Sequence, residues 1–174
     1  MTQRKETLVA ELSSSRDYLV SVATQVGADQ ALNSTENPLW NVHDVLAHVA
    51  IAERGLQATV NRFLAGEDLP EGFSLDYWNE RQVAKLSERS VDELLAGLGA
   101  SRQVTLSLLA GLTDDQLAVA GIHPAGFETD VAGVFRILAW HETAHGQEIA
   151  AAIGLETGEP VDWAGFYAKA RELS

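Results

Sequence analysis

The sequence predicts an all-α protein, a four-helix bundle with short extra helices, and three observations point there. Apolar residues recur at three- and four-residue spacing over four stretches of roughly 20–25 residues. Capping residues and glycines bound those stretches, and nothing shows the sustained alternation of a strand. Hydrophobic residues make up 46% and charged residues 21% of the 174 positions, a balance ordinary for one globular domain spanning residues 1–174.

The first helix reads from about Gln3 to Val26, on Leu8, Leu12, Leu19, Val22 and Val26, with Gly27 as its stop. A loop rich in Asn, Ser and Thr follows, up to Trp40. Asn41 then stands as an N-cap, with Asp44 at the third helical position, where a carboxylate suits the helix dipole. The second helix runs from about Val42 to Ala65 on the stripe Val45, Val49, Ala52, Leu56 and Val60, and Gly66 ends it. A shorter helical piece from Ser74 to about Ser87 carries Tyr77, Trp78 and Asn79. Ser90 and Glu93 form a capping box for the third long helix, which reaches Leu109 or Gly111. Thr113 to Gln116 cap a short turn, and residues 121–128 read as a loop. The fourth long helix covers Thr129 to Ile153 and stops at Gly154. A tail with Pro160 and a final helix from Trp163 to Glu172 complete the chain.

Residues 66–89 separate helices two and three, too many for a tight antiparallel turn. A connection of that length runs back along the bundle. Helices two and three are then parallel and helix four is antiparallel to both, an up-down-down-up order with a long crossover.

Composition also bounds the partners. A formal net charge of −13 argues against nucleic acid or an anionic membrane, since both need clustered Lys and Arg. The polar start of the chain does not resemble a signal peptide, and no apolar run is long enough to span a bilayer. The absence of cysteine excludes a disulfide framework, a thiolate nucleophile from the protein and a Cys-type zinc site, and it suits a cytoplasmic location.

The chemistry concentrates in helix four. Its apolar stripe passes through Val131, Val134 and Leu138, then resumes at Ile149 and Ala152; His141 and His145 occupy the positions between. Four residues apart, they share one face, about 5–6 Å apart at Cβ. His48 lies on the border of the helix-two stripe, about two turns from that helix's start, while His145 and His141 lie two and three turns from the end of helix four. At 1.5 Å per residue these depths are on the order of 10–18 Å from the same end of an antiparallel pair, so the three imidazoles can converge. Three neutral imidazoles suit zinc, nickel, iron or copper and leave a coordination position open for water or substrate.

Around this triad, Asp44, one turn before His48, is a candidate to accept its free ring N–H or else a simple dipole residue. Tyr77, Trp78 and Asn79 are candidates to line a pocket mouth. His43, about 140° around the helix from His48, and His123, between helices three and four, read as surface or loop residues. The string His141-Glu142-Thr143-Ala144-His145 also spells the zincin protease signature, with Glu142 as general base. Zincins lay substrate along a strand beside that helix, and none is expected here. In a bundle Glu142 sits about 100° from His141 and flanks the pair, a residue able to support the ligands from outside.

This combination resembles the DinB/YfiT-like superfamily of metal-binding four-helix bundles over about residues 5–155, leaving 156–174 as a C-terminal tail. The resemblance rests on Trp40-Asn41-Val42-His43-Asp44-Val45-Leu46-Ala47-His48-Val49, similar to that superfamily's tryptophan, helix-two cap and first ligand. It rests equally on His141-x-x-x-His145-Gly146-Gln147, similar to its paired ligands on helix four. It implies His48, His141 and His145 as metal ligands, parallel second and third helices, and a homodimer. Relatives include thiol-dependent S-transferases and a maleylpyruvate isomerase that use mycothiol, bacillithiol or glutathione.

The expected function is therefore a cytoplasmic enzyme dependent on a divalent metal, zinc or nickel ahead of iron or manganese. It would act on a small molecule, with a low-molecular-weight thiol as cosubstrate in the transferase or isomerase reading. The competing expectation is a non-catalytic bundle that metal stabilises for dimerisation.

Overall fold

The computed structural model describes residues 2–156 and 162–171. Four long helices carry the fold: α1 (Gln3–Ala23), α2 (Val42–Ala65), α4 (Val91–Gly111) and α6 (Val131–Ala152). Three shorter helices accompany them: α3 (Leu75–Ala84), α5 (Asp114–Leu117) and α7 (Trp163–Arg171). The expected last residue of α7, Glu172, and Pro160 in the tail lie outside the described residues. No described helix is long and apolar enough to cross a membrane.

The ends of the helices follow their capping chemistry. Asn41 accepts the Asp44 N–H at 3.0 Å, and Asp44 accepts the Asn41 N–H at 3.1 Å, a reciprocal box that satisfies two donors at the start of α2. Ser90 and Glu93 do the same for α4. Gly66 closes α2 at φ 66°, in the left-handed region that glycine enters without a Cβ clash.

The stretch that leads into α6 differs from expectation in two respects. Residues 121–128 are not simply a loop: β1 (Ala120–Ile122) pairs antiparallel with β2 (Glu128–Asp130), with Gly121 opposite Thr129. Each strand has three residues, too short for a period-two pattern to register in sequence. Gly121 is required where it stands, because a Cβ there would come within 2.5 Å of the Phe63 ring. The expected start of α6 at Thr129 moves to Val131, since Thr129 and Asp130 belong to β2 and Asp130 caps the helix by accepting the Gly133 N–H at 2.6 Å.

Side-chain pairs along the helices give their directions. Arg4 meets Asp130, Ser15 meets Glu142, and Gly146 abuts Tyr18, so α1 and α6 run parallel. His43 meets the Arg89 carbonyl near the start of α4 and Gln57 meets Thr105 further on, so α2 and α4 run parallel too. Lys5 reaches the Ala110 carbonyl while Arg16 reaches that of Leu98, which makes α1 and α4 antiparallel. His48 meets His141, and Val60 shares a small cavity with Val134, which makes α2 and α6 antiparallel. This is the up-down-down-up bundle the long crossover predicts.

Two large apolar clusters account for most of the core, beside a small one at Phe127 and Ile137. One large cluster gathers Leu19, Val45, Val49, Leu94, Leu98 and Ile149, and the other gathers Leu12, Val60, Phe63, Leu109, Val134 and Leu138. Between them, on each long helix, sits a charged residue: Arg16, Glu53, Arg102 and Glu142, all buried. Arg16 bonds Glu53 at 2.7 Å and also Glu142. Arg102 bonds Glu53 and Glu142, each at 2.7 Å. Ser15 and Thr105 complete the two carboxylates at 2.9 and 2.6 Å.

Deleting one member leaves an unpaired charge in a buried layer, a class of change that costs about 3–5 kcal/mol. Glu142→Ala should therefore lower the unfolding free energy by roughly that amount in urea denaturation of the metal-free protein. A loss below about 1 kcal/mol, the range of an exposed pair, would contradict this account of the layer.

Candidate metal centre

The polar layer holds α2 and α6 in one axial register, and that register brings the three histidines together. His48 and His145 are buried and His141 half-buried. Nε2 of His141 lies 2.9 Å from Nε2 of His48 and 3.1 Å from Nε2 of His145. The three potential ligand atoms all fall within 4.8 Å of one another. Trp40 packs 4.8 Å from the His48 ring and Trp163 4.9 Å from that of His145, walling the cluster on both sides.

The protons of the cluster can be assigned. Nδ1–H of His145 donates to Oε2 of Glu148 at 2.8 Å, so with a single proton on the ring Nε2 presents a lone pair to the centre. His141 Nε2 faces two other ring nitrogens, yet it carries either one proton or one lone pair and can satisfy only one of them. Its Nδ1 is buried without a partner among the described residues. Hydrogen bonding among the rings therefore leaves a close nitrogen–nitrogen contact uncompensated, whereas a cation at the centre takes up all three lone pairs. Two nitrogens at about 2.0–2.1 Å from one ion stand roughly 2.9–3.4 Å apart for octahedral or tetrahedral angles, which matches both short separations. The residues present fit a metal ion.

The electrostatics agree. Burial, then the neighbouring His145, holds the pKa of His48 well below its ordinary value; burial, then His145, His48 and His123, does the same for His141. Both rings are thus neutral at pH 7, the form in which imidazole ligates. Burial works against ionisation of Glu148, but its hydrogen bond and charge interaction with His145, with help from Thr35 and the Asn37 backbone, hold its pKa below the usual carboxylate value. The carboxylate–histidine contact fixes one ring's tautomer and orientation.

The three rings open onto a single cavity of about 600 Å³, within the range of small-molecule sites. Of the three residues singled out on α3, Trp78 and Asn79 line it and Tyr77 does not. Tyr77 is 60% exposed and accepts a hydrogen bond from Arg81, because consecutive residues of α3 cannot all face one wall. Asp44 is not a partner of His48, its side chain being committed to the Asn41 cap.

Glu142 does not support the ligands either. Fully buried in the polar layer, it has both oxygens occupied by Arg16, Arg102 and Ser15, which removes the general base a zincin reading needs. Gly146 faces α1, where a Cβ would sit 2.8 Å from Tyr18, so it permits helix packing rather than access to the cluster. His43 bonds the Arg89 carbonyl, away from the site. His123 is 7% exposed instead of a surface residue, stacks on Phe127 and lines the same cavity. Glu148 is the residue sequence reasoning missed; its signal was the three-residue spacing from His145, which puts both on one face.

The sequence profile of the DinB superfamily matches residues 11–149. No curated protein sequence matches the chain. Among solved structures, the fold is similar to YfiT from Bacillus subtilis, described as a probable metal-dependent hydrolase with an unusual four-helix bundle topology. That likeness has a TM-score of 0.68 at 21% identity and covers 90% of this chain and 91% of that one. The fold is also similar to the mycothiol-dependent maleylpyruvate isomerase, with a TM-score of 0.72 at 14% identity, covering 86% of this chain. The matched part spans 63% of that longer protein.

Because His48, His141 and His123 hold folded-state pKa values below the unfolded value of 6.5, the unfolded chain binds more protons beneath that pH. The stability they contribute is complete above 6.5 and is lost as the pH falls toward their folded values, about 4 for His123. Urea denaturation of the metal-free protein should show an unfolding free energy that is level above about pH 6.5 and declines below it. His123→Gln should flatten that decline by on the order of 2–3 kcal/mol between the two limits. An identical slope in the variant would refute the assignment of a neutral His123.

Proposed function

The chain belongs to the DinB superfamily, and from that premise we propose that His48, His141 and His145 hold one divalent metal ion in a metal-dependent enzyme whose small-molecule substrate binds in the adjoining cavity. The observation that carries this reading is the convergence of three Nε2 atoms, with the His145 tautomer set by Glu148, at the wall of that cavity. All-imidazole ligation favours zinc or nickel, with iron or manganese as alternates. A bound ion there would lower the pKa of a water or thiol and orient it.

The chain's own residues complete the site. Glu148 holds the His145 ring, Trp40 and Trp163 shield the cluster from solvent, and the cavity walls position the substrate. With no cysteine in the chain, a thiolate nucleophile comes from a cosubstrate, so a low-molecular-weight-thiol transferase or isomerase is the reaction class we favour. A similar fold in a mycothiol-dependent isomerase supports that choice. A cytoplasmic homodimer, free of nucleic acid and membrane, is the setting we propose, on the strength of the −13 charge and the family resemblance.

Elemental analysis of the purified protein tests the metal directly. Wild type should carry one ion per chain, and His48→Ala, His141→Ala and His145→Ala should each abolish it. Glu148→Gln should weaken metal affinity by about 10–100-fold while leaving the fold intact by circular dichroism. A wild-type protein that neither carries nor takes up metal would overturn the proposal. If metal binds but no thiol accelerates reaction with a model electrophile, the site is a metal-stabilised structural element.

A further inference from the structure

The cavity has a second end, and its chemistry is opposite to that of the metal end. On α2 the residues His48, Ala52, Gly55, Thr59 and Arg62 all line it. Their spacing of four, three, four and three is one continuous face of a helix. At 1.5 Å per residue the α2 backbone rises about 21 Å from His48 to Arg62, while His123 stands close enough to the cluster for its charge to act on His141. The middle of the α2 face is small and apolar: Gly55 lets the Trp78 ring approach so closely that a Cβ would sit 3.1 Å from it. Leu56, Leu69, Phe73 and Ile137 add to the apolar walls.

The far end carries uncompensated positive charge. Arg62 is held by the Glu67 and Ile122 carbonyls, and it makes no ion pair among the described residues. Beside it, His123 accepts the Ala125 N–H on Nδ1 at 3.2 Å, so its proton is on Nε2. That Nε2–H belongs to a ring only 7% exposed beside the cavity and has no partner among the described residues. The cavity's two lining carboxylates, Glu36 and Glu148, belong to the metal end, Glu148 through its bond to His145 and Glu36 beside Asn37, whose backbone reaches Glu148.

From this arrangement we infer that the cavity takes an elongated apolar molecule with a terminal carboxylate, the carboxylate at Arg62 and His123 and the apolar body along the α2 face, so that the opposite end of the molecule lies at the histidine cluster. The inference defines the substrate class for the function proposed above, and it rests on that reading for the role of the histidine end. A guanidinium supplies charge and directional donors to a carboxylate, and the buried imidazole N–H gains the acceptor it lacks. The narrow, apolar middle excludes strongly hydrated bodies and favours an alkyl chain or an aromatic ring.

Calorimetric titration with dodecanoate, dodecanol and dodecylamine tests this, on the protein as purified and again after chelation of its metal. Dodecanoate should bind more tightly than dodecanol, and dodecylamine least, in both preparations. Arg62→Gln should weaken dodecanoate by roughly ten- to a hundredfold and leave dodecanol within about twofold, the unchanged alcohol showing that the cavity is intact. Arg62→Lys, which keeps the charge, should retain the order of affinities. Equal binding of acid and alcohol, or a preference that disappears with the metal yet ignores Arg62→Gln, overturns the inference. A preference that depends on Arg62 in a protein that takes up no metal supports the carboxylate site and refutes the metal enzyme; metal uptake without the preference does the reverse.

Discussion

Two arginines and two glutamates, one from each long helix, meet in the centre of the bundle, and their pairing sets the register of the four long helices. Apolar packing alone lets helices slide by a turn at modest cost, because one leucine layer resembles the next. A buried ion-pair layer does not, since any slip leaves a charge buried without its partner. Arg16 and Arg102 each bond both Glu53 and Glu142, so the layer locks α1 and α4 onto α2 and α6 at a single axial level. The two large apolar clusters lie on either side of it.

The histidine cluster inherits its geometry from that lock. His48 lies five residues before Glu53 and His145 three residues after Glu142, offsets that point the same way along an antiparallel pair, so the layer that aligns the two carboxylates also brings the imidazoles to a neighbouring level. Rotation by about 100° from Glu142 to His141 carries the chain from the inside of the bundle to the wall of the cavity. Neighbouring residues thus do separate work: one joins four helices, and the other faces the small-molecule site. The rings are kept neutral by burial, and Glu148 holds one of them in orientation from outside. The cavity extends from this wall along the small residues of α2, and its polarity changes from imidazole and carboxylate at one end to guanidinium at the other.

Much of this was legible in the chain. Helix periodicity, the boxes at Asn41–Asp44 and Ser90–Glu93, and Gly66 depend on contacts a few residues apart, and those interactions are written in local sequence. The crossover length carried the parallel pairing of α2 and α4, and the depths of His48, His141 and His145 carried their meeting, since helix rise converts residue number into distance. The three-residue strands escaped because they are shorter than the pattern that reveals strands, and they persist through their packing on Phe63.

Side-chain partners were a different matter. Asp44, Glu142 and Tyr77 each stand beside the candidate site in sequence, and each turns to another partner: a cap, a buried arginine pair and Arg81. Glu148 had only its spacing from His145 and His123 read as a loop residue, yet one orients a ring of the cluster and the other is buried at the cavity's cationic end. The sequence by itself determined which segments are helical, how they are capped and which histidines share a depth, because those properties come from local hydrogen bonding and fixed helix rise. Only the tertiary structure decided which carboxylate serves the histidines, which arginines fill the core and where the cavity runs, because a charged side chain commits to whichever opposite charge or open donor the packing of distant helices brings within about 3 Å.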